Sequence, residues 1–142
     1  MGADMAYDKD NIFAKILRGD APAFRVFEDE YSLAFMDVMP QVEGHTLVIP
    51  KDPTENIHNA DPVILGHAMA TVQRVAAAVK NAFDAPGIML AQLNGDSAGQ
   101  TVFHLHFHIL PRREGLEMMM HSRQMADFDL LEKHAQLIRA AL

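Results

Sequence analysis

Three of the eight histidines occupy alternate positions in one stretch, as His104, His106 and His108. Successive side chains of a β-strand point to opposite faces, so an extended backbone would align the three imidazoles on one face. The residues between and around them are large and apolar, and they would cover the other face: Phe103, Leu105, Phe107 and Ile109. A helix would instead spread the imidazoles over roughly 200°. The pattern therefore predicts a strand that ends at Pro111, because proline has no N–H to donate to a sheet.

An aligned row of imidazoles permits three kinds of chemistry. It can ligate a metal such as zinc, with Asp37, His45 or one of the remote histidines as a further ligand. It can attack phosphorus, because a neutral imidazole is a nucleophile that forms a phosphohistidine and divides one displacement into two steps. It can also be a structural ladder, although three imidazoles make a poor core.

The loop before the predicted strand favours the nucleophile. Residues 94–101 read Asn-Gly-Asp-Ser-Ala-Gly-Gln-Thr. Their amides, hydroxyls and flexible glycine backbone resemble an anion cradle more than a metal shell. The metal site and the structural ladder remain as alternatives at this point.

The composition suits a single cytoplasmic domain and does not exclude a small anionic ligand. The chain has 142 residues, a formal charge of −7 and no cysteine, which excludes disulfides, thiol nucleophiles and thiolate metal sites. The negative charge argues against a general nucleic-acid-binding surface. The first residues do not read as a secretory signal, and no run approaches the roughly 20 apolar residues of a membrane span. We therefore expect no nucleic-acid or membrane partner and a cytoplasmic location.

Apolar periodicity and turn residues predict both strands and helices. A short helix over 11–18 should be capped by Asp10 and stop at Gly19, and a long helix should begin at Asp61. The remaining predicted elements are strands at 24–28, 33–38, 45–50 and 88–93 and a last helix at 127–142. The third of these strands is apolar on both faces, which is typical of a central strand. The run Met118–Met120 suggests pliable packing or an interface.

The same residues resemble the histidine triad (HIT) family of nucleotide hydrolases and transferases. The family signature is His-x-His-x-His followed by two apolar residues, which 104–110 match, and similar blocks lie at 11–16, 34–37, 44–51 and 99–112. The resemblance covers about 11–112. We therefore expect one HIT domain, 1–142, with 113–142 as a C-terminal extension. The resemblance implies an α+β fold with about five antiparallel strands and two main helices, to which the C-terminal helix adds, and a homodimer formed through a shared sheet.

The resemblance also gives the histidines unequal roles. His106 would be the nucleophile that takes the nucleotidyl group from the α-phosphate, and His108 would contact the phosphate or the leaving group. His104 and His45 would form a relay that holds the imidazole of His106 in its attacking tautomer. We expect no metal and no cofactor, since residues 11–14 (Asn-Ile-Phe-Ala) replace the Cys-x-x-Cys pair that binds structural zinc in many bacterial members.

Other positions match residues that bind the nucleotide in the family. Asn94, Gln100 and Thr101 would bind the phosphate and the leaving-group side, and Asp37 would bind the ribose hydroxyls. Apolar side chains would form the base pocket, which predicts tolerance among purines: Ile12, Phe13, Ile16 and Phe35.

The expected function is hydrolysis of a small-molecule purine nucleotide. A purine nucleoside 5′-phosphoramidate, or a related derivative, would be cleaved to the nucleoside monophosphate through a nucleotidyl-histidine. The alternatives are a diadenosine polyphosphate hydrolase that uses the same residues and a non-catalytic protein that senses purine nucleotides. The chain also lacks the tryptophan-containing ending of the phosphoramidase (Hint) branch, in which the tail helps to choose substrates.

Overall fold

The computed structural model of the chain describes residues 7–117 and 124–142. Its helices and strands follow in the order α1 (Ile12–Leu17), β1 (Arg25–Glu28), β2 (Ser32–Met36), β3 (Thr46–Pro50), α2 (Pro62–Ala82), β4 (Gly87–Ala91), β5 (Phe107–Arg112) and α3 (Phe128–Ala141). A short 3₁₀ turn, Asp96–Ala98, precedes β5. The predicted run Met118–Met120 lies outside the described residues.

The five strands form one antiparallel sheet in the order β1-β2-β3-β5-β4. The expected α+β fold of the HIT type is therefore confirmed, and β3 lies at the centre of the sheet as its apolar sequence predicts. Its neighbours are β2, where Met36 pairs with Thr46, and β5, where Ile109 pairs with the same Thr46. This arrangement brings the residue before β3, His45, beside the histidine-bearing chain of β5.

The two faces of the sheet are covered by different helices. Side chains of β2 alternate between them: Ala34 and Met36 pack with α2 and α3, whereas Leu33 and Phe35 pack with α1. The apolar residues of the histidine stretch belong mostly to the α2–α3 core, namely Leu105, Phe107 and Ile109. The histidines are consequently left on the α1 side of the sheet.

The strand predicted for the histidine stretch begins later and ends later than expected. β5 starts at Phe107, so His104 and His106 lie in an irregular segment that is tied by the Leu105 N–H to the Thr54 carbonyl at 2.8 Å. The strand also continues through Pro111, which pairs with β4. Proline is tolerated there because the pairing of β5 with β3 ends at Ile109, so one edge of the strand is already unpaired.

The helix starts follow capping chemistry. α1 is capped by Asn11, whose side chain accepts from the Ala14 N–H, and not by Asp10 as predicted. α2 begins as predicted, with the Asp61 side chain accepting from the Val63 N–H.

α2 is long and apolar enough to cross a membrane by length and composition alone. Here it packs one face on the sheet with buried small and β-branched residues, as core helices do: Ala68, Thr71, Val72, Val75, Ala78 and Val79. This packing buries 33% of the apolar window, and one such helix is weak evidence for a membrane span. The cytoplasmic location stays a prediction.

Candidate active site

The imidazole of His106 is oriented by the backbone two residues before it. Its Nδ1 lies 2.7 Å from the carbonyl oxygen of His104, and the residue is only 6% exposed. Because a carbonyl oxygen only accepts hydrogen bonds, Nδ1 carries the proton and Nε2 carries the lone pair. The fold therefore presents His106 in the tautomer whose Nε2 is available as a nucleophile.

The imidazole of His108 is held in the opposite tautomer to that of His106. The backbone N–H of Gln41 donates to His45 Nδ1 at 3.1 Å, and His45 Nε2 lies 2.9 Å from His108 Nδ1. Since His45 Nδ1 accepts, the proton of His45 is on Nε2 and is donated to His108 Nδ1. The proton of His108 is then on its own Nε2. The site thus places a donor ring beside a nucleophilic ring, with the centroids of His106 and His108 5.0 Å apart.

The relay predicted from His104 and His45 to His106 takes a different form in the structure. The ring of His45 bonds to His108, and the ring of His104 donates from Nε2 to the carbonyl oxygen of Pro50 at 2.8 Å. His104 supports His106 through its backbone carbonyl. The backbone is irregular before β5, which lets this carbonyl turn toward the side chain two residues on.

Burial keeps all of these imidazoles neutral near pH 7. Desolvation lowers the pKa of His45 to about 3, lowers the pKa of His104 and of His108 to about 4, and lowers the pKa of His106 as well. A protonated ring would have two donors and no lone pair, which the hydrogen bonds accepted by Nδ1 of His45 and by Nδ1 of His108 do not allow. The pKa shifts and the tautomers therefore agree.

Asp37 lies just beyond β2 and beside His45. Its Oδ1 accepts from the Met39 N–H at 2.8 Å, and its Oδ2 lies 3.5 Å from His45 Nε2. Burial raises the pKa of Asp37 to about 6, although the hydrogen bond from Met39 opposes the shift. The side chain is still 20% exposed, so a ligand can reach the carboxyl.

Asp37, His45 and His108 also offer ligand atoms within 4.8 Å of one another, which raises the metal alternative again. A metal on His45 Nε2 would move the ring proton to Nδ1, where it would point at the N–H of Gln41. Two donors would then face each other in a buried site. The geometry therefore favours a hydrogen-bond chain over a metal site for these three groups.

The predicted base pocket is brought together on the α1 side of the sheet. Phe13, Ile16 and Phe35 share one apolar cluster, and each is buried. Phe13 stands edge-on to Phe35 with ring centroids 5.4 Å apart and edge-on to His106 at 5.0 Å. Ile12 lies next to them on α1 and is 46% exposed. Phe13 thus connects the apolar pocket to the ring of His106.

The glycine-rich loop before the histidines forms a tight turn. Gly95 and Gly99 have φ of 92° and 100° on either side of the 3₁₀ turn, a backbone conformation that favours glycine. The Gln100 side chain holds this turn, accepting from the Gly95 N–H and donating to the carbonyls of Glu55 and Val102. Gln100 is 2% exposed and anchors the loop, and its predicted contact with the nucleotide stays a prediction.

The other two polar residues of the predicted phosphate site are Asn94, whose amide is hydrogen-bonded within the protein, and Thr101, which is exposed. The Asn94 amide is paired with the Gln92 amide in both directions at 2.8 Å, and its oxygen also accepts from the Ile57 N–H. Thr101 is exposed at the end of the loop. Only spacing indicates this role for Gln92 in the sequence, because an amide two residues from Asn94 on an extended chain shares its face.

Tyr7 is a site residue that the sequence did not reveal. Its hydroxyl lies 2.6 Å from His104 Nδ1, and the two rings meet edge to face at 5.7 Å. Because His104 Nε2 donates to Pro50, Nδ1 is the acceptor and the tyrosine O–H is the donor. Burial raises the pKa of Tyr7, which keeps this proton in place. The tyrosine falls in a segment that reads as a loose tail, with no local pattern to mark it.

Comparison with known proteins identifies the class to which this site belongs. A model of the HIT domain matches residues 18–115. The chain belongs to the HIT, or histidine triad, family.

Named relatives and solved structures agree with this assignment. Adenosine 5′-monophosphoramidase HNT1 of Saccharomyces cerevisiae is 37% identical over 141 residues, covering 97% of this chain and 87% of the yeast protein. Adenylylsulfatase HINT3 of Arabidopsis thaliana is 34% identical over 105 residues, covering 74% of this chain and 53% of the plant protein. A crystal structure of a Hit-like protein from Bartonella henselae is 50% identical with a TM-score of 0.91, covering 96% of this chain and 100% of that one. Together these likenesses support a nucleotide hydrolase.

The titration of Asp37 predicts a pH-dependent affinity for nucleosides. With a pKa of about 6, the carboxyl is ionised above pH 6 and protonated below it, and the ionised form accepts hydrogen bonds from the ribose hydroxyls more strongly than the protonated form. We expect the affinity for adenosine, which has no phosphate that ionises in this range, to fall on acidification by at most about tenfold per pH unit. Calorimetric titration at several pH values measures it. Asp37→Asn should bind with an affinity that is flat across this range, and an equal slope in both proteins would contradict the assignment.

The hydrogen bond of Tyr7 predicts a specific effect of removing its hydroxyl. Tyr7→Phe keeps the ring but leaves the buried His104 Nδ1 without a donor, so we expect a loss of about 1–3 kcal/mol in the free energy of unfolding. Denaturant unfolding measures it. The other of the two tyrosines supplies the control, because Tyr31 stacks on His67 through its ring and Tyr31→Phe should change stability little. Equal losses in the two variants would show that the bond to His104 is unimportant.

Proposed function

We propose that this HIT-family protein hydrolyses purine nucleoside 5′-phosphoramidates to the nucleoside monophosphate, with His106 as the nucleophile. The observation that carries the proposal is the hydrogen bond from His106 Nδ1 to the His104 carbonyl, which fixes the lone pair on Nε2. The amine leaving group is supported by the likeness to a yeast adenosine 5′-monophosphoramidase, since that match extends over 97% of this chain.

The first step transfers the nucleotidyl group to the protein. His106 Nε2 attacks the α-phosphorus, an N–P bond forms to the ring, and the P–N bond of the substrate breaks. The departing nitrogen takes up a proton from solvent and leaves as the amine. His108 donates its Nε2 proton in a hydrogen bond to a phosphoryl oxygen, where negative charge concentrates.

The second step releases the product. Water attacks the same phosphorus, the bond between phosphorus and His106 breaks, and the nucleoside monophosphate leaves. The proton lost by the water returns to solvent and balances the proton taken up in the first step. His106 recovers its starting tautomer because the His104 carbonyl has kept the Nδ1 proton throughout.

The proposed binding of a purine nucleoside is supported by the polarity of the residues around the pocket. The pocket around Phe13 and Phe35 is apolar and suits the faces of a purine, whereas Asp37 lies at its polar end and suits ribose hydroxyls. All four residues predicted for the pocket are apolar, namely Ile12, Phe13, Ile16 and Phe35. The base is thus held by its faces, so we expect adenosine and guanosine substrates to be used alike.

A turnover panel tests the proposed reaction. Adenosine 5′-phosphoramidate, a diadenosine polyphosphate, adenylyl sulfate and a nucleotidyl sugar would be compared at equal concentration, and we expect the highest kcat/KM for the phosphoramidate. His106→Ala should reduce kcat by roughly a thousandfold or more while AMP binding is largely retained. His67→Ala, on α2, is the matched control and should keep full activity.

Each other result would point to a different function. Preferred turnover of the dinucleotide would replace the phosphoramidase with a diadenosine polyphosphate hydrolase. Binding of AMP without turnover of any compound would contradict a hydrolase and favour a nucleotide sensor. Full activity of His106→Ala would remove the nucleophile from the proposal.

We also propose that two copies of the chain pair through the free edge of β4, as the family resemblance implies. β4 pairs with β5 on one side only, and an exposed strand edge is a template for pairing with another chain. Leu90 on this edge is 50% exposed, and Met69 on the neighbouring α2 is 47% exposed. These apolar side chains are the kind that a dimer interface would cover.

The mass of the protein in solution tests the dimer. Light scattering coupled to gel filtration should give a dimeric mass for the wild type at micromolar concentration. Leu90→Lys places a charge at the proposed interface and should give a monomer. Leu137→Lys is the control, because Leu137 is 44% exposed on α3, away from β4. A monomeric wild type would contradict the proposal.

A further inference from the structure

A cavity of about 210 Å³ lies between α3 and the loop that joins β2 to β3. We call it the α3 cavity. Met36 and residues 40–44 form one wall, and Ala126, Leu130, Leu131 and His134 form the other. Met36 and Leu131 belong to the α2–α3 core, so the cavity lies on the opposite side of the sheet from the base pocket.

His134 is the unusual residue of this lining. It is 7% exposed, and its ring meets the ring of Phe83 edge to face at 5.0 Å. Within the part of the chain that the structure describes, neither ring nitrogen has a hydrogen-bond partner, and neither nitrogen is fully buried. Each nitrogen is therefore accessible from outside the protein, and the ring offers one donor and one acceptor to a ligand group in the cavity.

The charges of the lining limit what that ligand can be. Among the described residues of the wall Glu43 is the charged one, and its carboxylate disfavours an anion. Burial lowers the pKa of His134, so the neutral ring offers one donor and one acceptor and disfavours a partner of fixed charge. Most of the remaining wall is apolar. We propose that the α3 cavity binds a small neutral molecule, made of an apolar ring with one hydrogen-bonding group that pairs with His134.

The α3 cavity is connected to the active site by one loop. Gln41, in the cavity wall, is the residue whose N–H fixes the tautomer of His45 at 3.1 Å. The start of α3 is tied to the same loop, because the Ala126 N–H donates to the Val38 carbonyl at 2.9 Å. A ligand in the cavity therefore contacts the loop that positions His45, and its binding should be detected there.

Indole is a suitable probe because it is a flat apolar ring with a single N–H. Titration of the full, isotope-labelled chain with indole should give saturable NMR shifts at cavity residues and at the amide of His45. 1-Methylindole lacks the N–H and should bind roughly three- to tenfold more weakly, as expected for one hydrogen bond. Indole-3-carboxylate should also bind more weakly, because of Glu43. None of these measurements depends on the proposed hydrolase activity.

Three variants make the test specific. His134→Phe keeps a ring but removes both nitrogens, so indole and 1-methylindole should bind to it equally. Ala126→Leu narrows the cavity and should weaken every probe, which keeps the test decisive if His134→Phe does not fold. Leu137→Ala changes an exposed residue of the same helix outside the cavity lining and should leave binding unchanged. Absence of saturable shifts, shifts confined to other residues, equal binding of the two indoles to the wild type, or an unshifted His45 would each overturn the proposal.

Discussion

The carbonyl oxygen of His104 accepts a hydrogen bond from the ring of His106 at 2.7 Å, with both residues buried. In the other tautomer two acceptors would face each other where no water can separate them. An unsatisfied buried acceptor costs about 1–3 kcal/mol, which corresponds to a bias of roughly five- to 150-fold toward the observed tautomer. A single backbone atom therefore decides which nitrogen of His106 has the lone pair. The chemistry of the site depends on the position of that atom.

Much of the surrounding structure serves to hold this carbonyl. The ring of the same residue, His104, is fixed at both nitrogens, by the Tyr7 hydroxyl at 2.6 Å and the Pro50 carbonyl at 2.8 Å. The next residue, Leu105, is fixed by its N–H to Thr54. These contacts come from the N-terminal segment, from β3 and from the loop after it. The irregular segment before β5 is consequently as well determined as a strand, although it lacks strand pairing.

The sequence predicted the arrangement that depends on local spacing and missed the part that depends on distant backbone partners. Alternation was enough to predict that the histidines lie on one side of the sheet and that Leu105 and Ile109 lie on the other. It could not show that β5 starts only at Phe107, because the backbone of that segment is set by a hydrogen bond to residue 54. Tyr7 contacts a residue 97 positions away, and Gln100 bonds a carbonyl 45 positions away. Contacts of this kind leave no periodicity in the sequence.

His106 Nε2 and the Asp37 carboxyl are both hydrogen-bond acceptors with too few donors in the protein, which agrees with the proposed substrate. His106 Nε2 has a lone pair, and Asp37 Oδ2 lies 3.5 Å from an imidazole that already donates to His108 at 2.9 Å. Both groups are acceptors that the surrounding protein has left short of donors. Burial raises the pKa of Asp37 to about 6 for this reason, since no cation in the described structure offsets the loss of water. A nucleoside phosphate derivative would bring hydroxyl donors to the Asp37 carboxyl and an electrophilic phosphorus to the His106 imidazole. A metal ion at His45 would bring neither.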